Sequence, residues 1–97
     1  MECEWDEKKN KLNQKKHGIS FEEAQEIFQD PNAIEFFDKA HSSSDEYRFG
    51  CIGMCKKFLV VTVFFTDRSG KTRIFSARQA NQKERSRYYE ELRKNDC

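Results

Sequence analysis

Phe58-Leu59-Val60-Val61-Thr62-Val63-Phe64-Phe65 is the longest apolar run in an otherwise very polar sequence. Its residues are mostly β-branched or aromatic and include no Gly or Pro, so the run predicts a strand over 58–65. Alternation puts Phe58, Val60, Thr62 and Phe64 on one face and Leu59, Val61, Val63 and Phe65 on the other. Both faces are apolar, which suits a mid-sheet strand covered on one face and on part of the second. The next strand-like segment, Arg73-Ile74-Phe75-Ser76-Ala77-Arg78, follows through Asp67-Arg68-Ser69-Gly70, a hairpin connection in which Gly70 can take positive φ. A buried strand thus supports a neighbour that carries arginines.

The 97 residues predict one domain spanning 1–97, with a single modest core. Hydrophobic and charged residues each make up 36%, and the nine Phe supply large area per residue to that core. No apolar run approaches the roughly 18 residues of a membrane span. Met1 to Asp6 is acidic and lacks an apolar signal region, so a cytoplasmic location is expected. Cys3, Cys51, Cys55 and Cys97 form neither a C-x-x-C pair nor a zinc pattern, and read as reduced thiols, with Cys51 and Cys55 as core fillers. The net charge of +1 hides a segregation. Residues 1–19 carry +1, residues 20–55 carry −6 and residues 56–97 carry +6. A basic C-terminal half can attract polyanions, with a solvated helix face as the plainer alternative.

Cys3-Glu4-Trp5 predicts a short first strand. Asp6 caps a helix running to about His17 and Gly18 ends it. Lys9, Leu12, Asn13 and Lys16 share one face of that helix, leaving Leu12 as its only clear apolar anchor, with the lysine stems free to lie over Trp5 or a Phe. Ser20 to Glu23 form a capping box, and a second helix runs to about Gln29 with Phe21, Ala24, Ile27 and Phe28 as its stripe. Strands are expected over Ile34–Asp38 and Tyr47–Met54, separated by a polar loop, His41 to Glu46, in which His41 is taken as solvated. A last helix from Asn81 presents Arg85, Tyr88, Tyr89 and Leu92, a thin stripe suited to docking on a sheet edge. The order reads β-α-α-β-β-β-α, an α+β fold with a small twisted antiparallel sheet packed against helices.

There is no Gly-rich phosphate loop, no H-E-x-x-H and no metal-ligand cluster in the sequence, so no metal or cofactor is expected. His17 stands beside a capping glycine, where a structural and a catalytic part both remain open. The clearest chemical signal is cationic. Arg48, Arg73 and Arg78 interrupt or end strands that otherwise carry apolar groups. Guanidinium groups grip phosphate oxygens in bidentate fashion and could stabilise the phosphorane formed when a phosphodiester is cleaved. The plainer alternative is salt bridging to Asp38, Glu35 or Glu84. By parity Arg73 shares a face with Phe75 and Ala77, and Arg78, five residues on, falls on the opposite face unless the strand end twists or bulges.

Trp5-Asp6-x-x-Lys9-x-x-x-Asn13-x-x-Lys16-His17-Gly18-Ile19-Ser20-Phe21-Glu22-Glu23-Ala24 resembles the N-terminal signature of the BrnT family of type II toxins. The likeness continues through Asp30-Pro31, Glu46-x-Arg48-Phe49, Ile52-Gly53, Arg73 to Arg78 with Ala80, Glu84-Arg85, and Tyr88 or Tyr89 followed by Glu90. The serine-rich His41–Ser44 loop and the Phe36-Phe37 pair lie outside that pattern. The resemblance implies a RelE-like ribonuclease that arrests translation in the manner of an mRNA interferase. It implies a BrnA-type ribbon-helix-helix antitoxin as partner and operator DNA bound only through the toxin–antitoxin complex, and it allows a toxin dimer within that complex. It also implies catalytic parts for His17, Arg48, Arg73, Arg78 and Tyr88. His17 is the favoured proton carrier and Tyr88 or Tyr89 a second candidate, with Lys9, Lys16, Arg85 and Tyr89 binding RNA. The other readings are a non-catalytic RNA- or ribosome-binding module of the same fold, and a degraded family member retaining only the antitoxin interface.

Overall fold

The apolar run becomes the centre of a five-stranded sheet in the computed structural model, which describes residues 2–95. The strands are β1 (Cys3–Glu4), β2 (Ile34–Phe37), β3 (Arg48–Met54), β4 (Val60–Arg68) and β5 (Lys71–Gln79), in the spatial order β1-β5-β4-β3-β2. The helices are α1 (Glu7–His17), α2 (Phe21–Ala24), which tightens into a 3-10 turn over Gln25–Gln29, and α3 (Gln82–Asn95). Four strands follow the two helices, one more than the order β-α-α-β-β-β-α holds: the expected strand at Ile34–Phe37 pairs along its whole length with β3 and takes one sheet edge, and β1 joins β5 in parallel, so the sheet is mixed and not antiparallel throughout. The β4–β5 connection is a two-residue hairpin with positive φ at both Ser69 and Gly70, the turn whose twist matches the flanking strands. Among the described residues no helix is long and apolar enough to cross a membrane. Cys3, Cys51 and Cys55 are free thiols, and Cys97 lies outside the described residues.

One face of the sheet packs on α1, α2 and the 3-10 turn. Phe21, Ala24 and Ile27 meet Cys51, Val61, Val63, Phe65, Ile74 and Ala77 there. Burial in this core pushes the Cys51 thiol up to about 12, with the nearby Glu35 and Asp30 carboxylates adding to the effect. On the opposite face α3 covers only one end, where Tyr88 packs with Ile52, Val60 and Ala80. Helix α3 therefore lies across the face of the sheet, not along an edge. The core beneath β3 and β4 has room for a large ring there, and an edge would leave Tyr88 in water. The rest of that face is open.

Two sequence expectations fail for local reasons. Leu12 does not anchor α1; it is 66% exposed. The buried contacts of α1 are polar, through Asn10 and Asn13. Asn13 donates to the carbonyls of Ala77 (2.8 Å) and Ile19 (3.0 Å) and accepts from the Ala77 N–H (3.2 Å). Its amide thus serves as a strand neighbour for β5 beyond the point where β1 ends. Asn10 accepts from the Phe21 N–H (2.8 Å) and donates to Glu22 (2.7 Å), fastening α1 to α2. Phe58 and Leu59 stand outside the central strand, because Cys55–Phe58 closes a tight turn in which Phe58 has φ 63° and is 82% exposed.

Candidate active site

The open half of the sheet owes its shape to one unpaired residue. In the β4–β5 ladder Phe64 pairs with Ser76 and Phe65 with Ile74, so Phe75 has no partner. An extra residue shifts the alternation of the strand by one step. Ile74 and Ala77, three apart, consequently both enter the helix-facing core. Arg73 and Arg78 both fall on the opposite, open face, where strict parity had separated them and had grouped Arg73 with Ala77.

The bulge also turns the Phe75 ring beneath Arg48. The guanidinium carbon of Arg48 lies 4.2 Å from the ring centroid, and Nε donates to Glu46 Oε1 at 3.0 Å. Hydrogen bonding from Arg48, helped by Arg68, holds the Glu46 carboxyl below the ordinary carboxylate range. Around this stack Asp38, His41, Arg48, Phe64, Phe75 and Ser76 line a cavity of about 250 Å³. Gly50 clears the neighbouring surface: a Cβ there would meet the Phe36 ring at 2.2 Å, so only glycine lets that ring lie across β3 and pack edge-on against Phe64. The site therefore offers a cation held over an aromatic ring, a second half-buried ring at Phe64 and a histidine beside a carboxylate, a combination suited to a phosphodiester and its flanking bases.

Arg78 borders the same face, 5.4 Å from the Phe64 ring centroid. It donates to both oxygens of Glu84 on α3, at 2.7 and 3.1 Å. Burial pushes the Glu84 carboxyl up, but hydrogen bonds from Arg78, the Asn81 N–H and Thr62 outweigh it and leave the group below its ordinary value. Arg73 reaches Glu4 on β1 at 3.4 Å. The carboxylate partners are thus Glu46 for Arg48, Glu4 for Arg73 and, as one sequence alternative had it, Glu84 for Arg78.

The remaining candidates are dispersed. His17 ends α1, half-buried, and does not line the cavity. Tyr88 is 2% exposed and donates to Asp30 Oδ2 at 2.6 Å, an oxygen that also accepts from the Met54 N–H at 2.9 Å. Burial and the Asp30 hydrogen bond raise its phenol well above the ordinary value. It stands in the core under α3, away from the cavity. Lys9 and Lys16 are exposed on α1, and Arg85 and Tyr89 are exposed on α3. Sequence reasoning missed Asp38, His41 and Phe64 as parts of one site. The signal available for His41 was an Asp three residues earlier, at the end of a strand. Among the described residues, no group of three or more His, Cys, Asp or Glu is arranged to hold a metal ion.

A family model for the ribonuclease toxin BrnT of type II toxin–antitoxin systems matches residues 5–84. The fold is also similar to the crystal structure, at 1.1 Å resolution, of the Brucella abortus ribonuclease toxin BrnT. The likeness covers 84% of this chain and 99% of that one, with 26% sequence identity and a TM-score of 0.64. No curated protein sequence matches the chain.

Proposed function

Because the chain belongs to the BrnT family of ribonuclease toxins of type II toxin–antitoxin systems, we propose that it cleaves RNA on the open half of its sheet. The observation that carries this reading is the Arg48 guanidinium stacked over Phe75 in a cavity also bordered by Phe64. Arg48 and Arg78 grip the scissile phosphate and stabilise the charge of the phosphorane, while the Phe64 and Phe75 rings receive a base. The fixed guanidinium charges supply what a divalent ion would otherwise provide, so cleavage is metal-independent. Lys9, Lys16, Arg85 and Tyr89 contact the flanking strand. The chain acts as one toxin domain with a RelE-like mode of translational arrest in the cytoplasm.

A ribbon-helix-helix antitoxin neutralises it by covering the basic surface beside α3, and binds operator DNA on behalf of the complex. Exposed Tyr89, Arg85 and Arg87 on α3 have the composition of interface anchors.

The test is incubation of the purified protein with total RNA in the presence of EDTA. Cleavage that persists is expected. Activity abolished by the chelator and restored by one divalent ion would overturn the metal-free reading. Growth arrest on induction, rescued by the neighbouring gene product, separates a toxin from a non-catalytic binder. Charge reversal at Arg85 and Arg87 is expected to slow association with that product, with a weaker salt dependence.

A further inference from the structure

Asp38 follows β2 and is 9% exposed, yet its side chain turns toward the cavity and meets His41 Nδ1 at 2.9 Å. The turn that places them is fastened to the start of β3. The Asp38 N–H donates to the Arg48 carbonyl (2.8 Å), Ser42 Oγ donates to the Asp38 carbonyl (2.7 Å) and the Arg48 N–H donates to Ser42 Oγ (2.8 Å). Asp38, His41 and Arg48 are therefore positioned by one backbone clamp. A carboxylate only accepts, so the 2.9 Å contact requires a proton on Nδ1. That leaves Nε2 of the neutral ring as a lone pair, on a residue that lines the same cavity as the Arg48–Phe75 stack. The ring itself fills no core space: the His41 side chain is 66% exposed.

We propose that His41, oriented by Asp38, is the general base of RNA cleavage. The assignment rests on the ribonuclease reading above and gives the proton transfer to a residue outside the family-like sequence pattern. Nε2 takes the proton of the ribose 2′-hydroxyl as its oxygen bonds to phosphorus. The phosphorus–5′-oxygen bond breaks, leaving a 2′,3′-cyclic phosphate, and the departing 5′-oxygen takes a proton from water at the open mouth of the cavity. Arg48, across the cavity, holds the phosphate. His41 is a catalytic residue and Asp38 a positioning residue.

The experiment compares wild type, His41→Ala, His41→Gly and Asp38→Asn for cleavage of an RNA oligomer, for binding of its 2′-O-methyl analogue, and for thermal melting. Wild-type protein that cleaves no RNA sinks the ribonuclease reading itself. Given an active wild type, His41→Ala is expected to lose about 10²–10⁴-fold in kcat with KM and analogue binding unchanged and a cooperative melt retained, at a Tm lowered by the loss of the Asp38 partner. Added imidazole is expected to restore part of the activity of His41→Gly. Asp38→Asn is expected to lower kcat by a smaller factor at unchanged KM. Full activity of His41→Ala overturns the assignment. So does a loss that extends to analogue binding, or one that imidazole leaves untouched, since either result makes the His41 contribution structural.

Discussion

Arg73 and Arg78 emerge on the same face of β5, five residues apart, because unpaired Phe75 between them shifts the alternation of the strand. They differ in what holds them. Arg73 reaches across to Glu4 on the edge strand, whereas Arg78 is clamped by both oxygens of Glu84 beside the Phe64 ring. An ammonium in place of Arg78 keeps the charge but cannot hold both oxygens of Glu84 and still present an N–H to the open face. Arg78→Lys is therefore expected to lose most RNA cleavage while remaining folded, and Arg73→Lys to stay close to wild type in activity. Paired measurements of Tm and cleavage rate check this. A fully active Arg78→Lys protein would remove Arg78 from the site.

Asn13 satisfies both backbone groups of Ala77 together with the Ile19 carbonyl. Truncation leaves these groups bare at about 1–3 kcal/mol for each one that stays buried, so Asn13→Ala is expected to cost about 3 kcal/mol overall. Leu12→Ala, one position away on the exposed side, should stay within about 0.5 kcal/mol of wild type. Urea denaturation of the two variants ranks them, and a larger loss for Leu12→Ala would contradict the polar anchoring of α1.

The lowered Glu84 carboxyl links stability to pH. Its stabilising contribution is fully present above the ordinary value of 4.5 and is lost as the pH falls through the lower value it has in the folded protein. Glu84→Gln should thus be less stable than wild type at neutral pH, having lost the charged partner of Arg78. The gap should narrow in acid, below the ordinary carboxylate value. Denaturant midpoints of both proteins at pH 7 and about pH 3 provide the comparison. A gap that stayed constant would show that the charge of Glu84 contributes nothing.

Phe58 combines φ 63° with 82% exposure. A left-handed conformation costs a bulky L-residue roughly 1–2 kcal/mol, and glycine adopts it freely at the expense of a more flexible unfolded chain. Since little burial is lost, Phe58→Gly is expected to raise stability by about 0.5–1 kcal/mol. A decrease in Tm would mean that the exposed ring makes contacts worth more than the strain.

The caps of α1, the box at Ser20 and the β4–β5 hairpin were legible because each rests on a few neighbouring residues with fixed chemistry. The sheet arginines stood out because charge inside an apolar strand is rare. The bulge was not legible: nothing in Ile74-Phe75-Ser76 distinguishes an unpaired residue from a paired one, and its position depends on how β4 fits both neighbours. Asn10 and Asn13 escaped a hydrophobic pattern because their burial is repaid by hydrogen bonds to segments as far away as Ala77. His41 looked solvated because its ring is largely exposed, and what brings the Asp38–His41 pair to the site is the tie that Ser42 makes to Arg48.

The link from Asn13 to Ala77 spans 64 residues, and that from Arg73 to Glu4 spans 69. Helix α1 is made early during synthesis, yet it carries almost no apolar surface with which to settle, and beyond its links to Ile19, Phe21 and Glu22 its buried partner Ala77 lies on a strand made late. Contacts of such long sequence separation form slowly and only after the intervening chain exists. On the ribosome, then, the N-terminal helix is tied only to α2 until β5 has emerged, and the face bearing Arg48, Phe75 and Arg78 is completed by the same event. A chain interrupted before β5 can pair β2, β3 and β4 but lacks Phe75 and Arg78, so the surface proposed to cleave RNA is complete only when synthesis is nearly over.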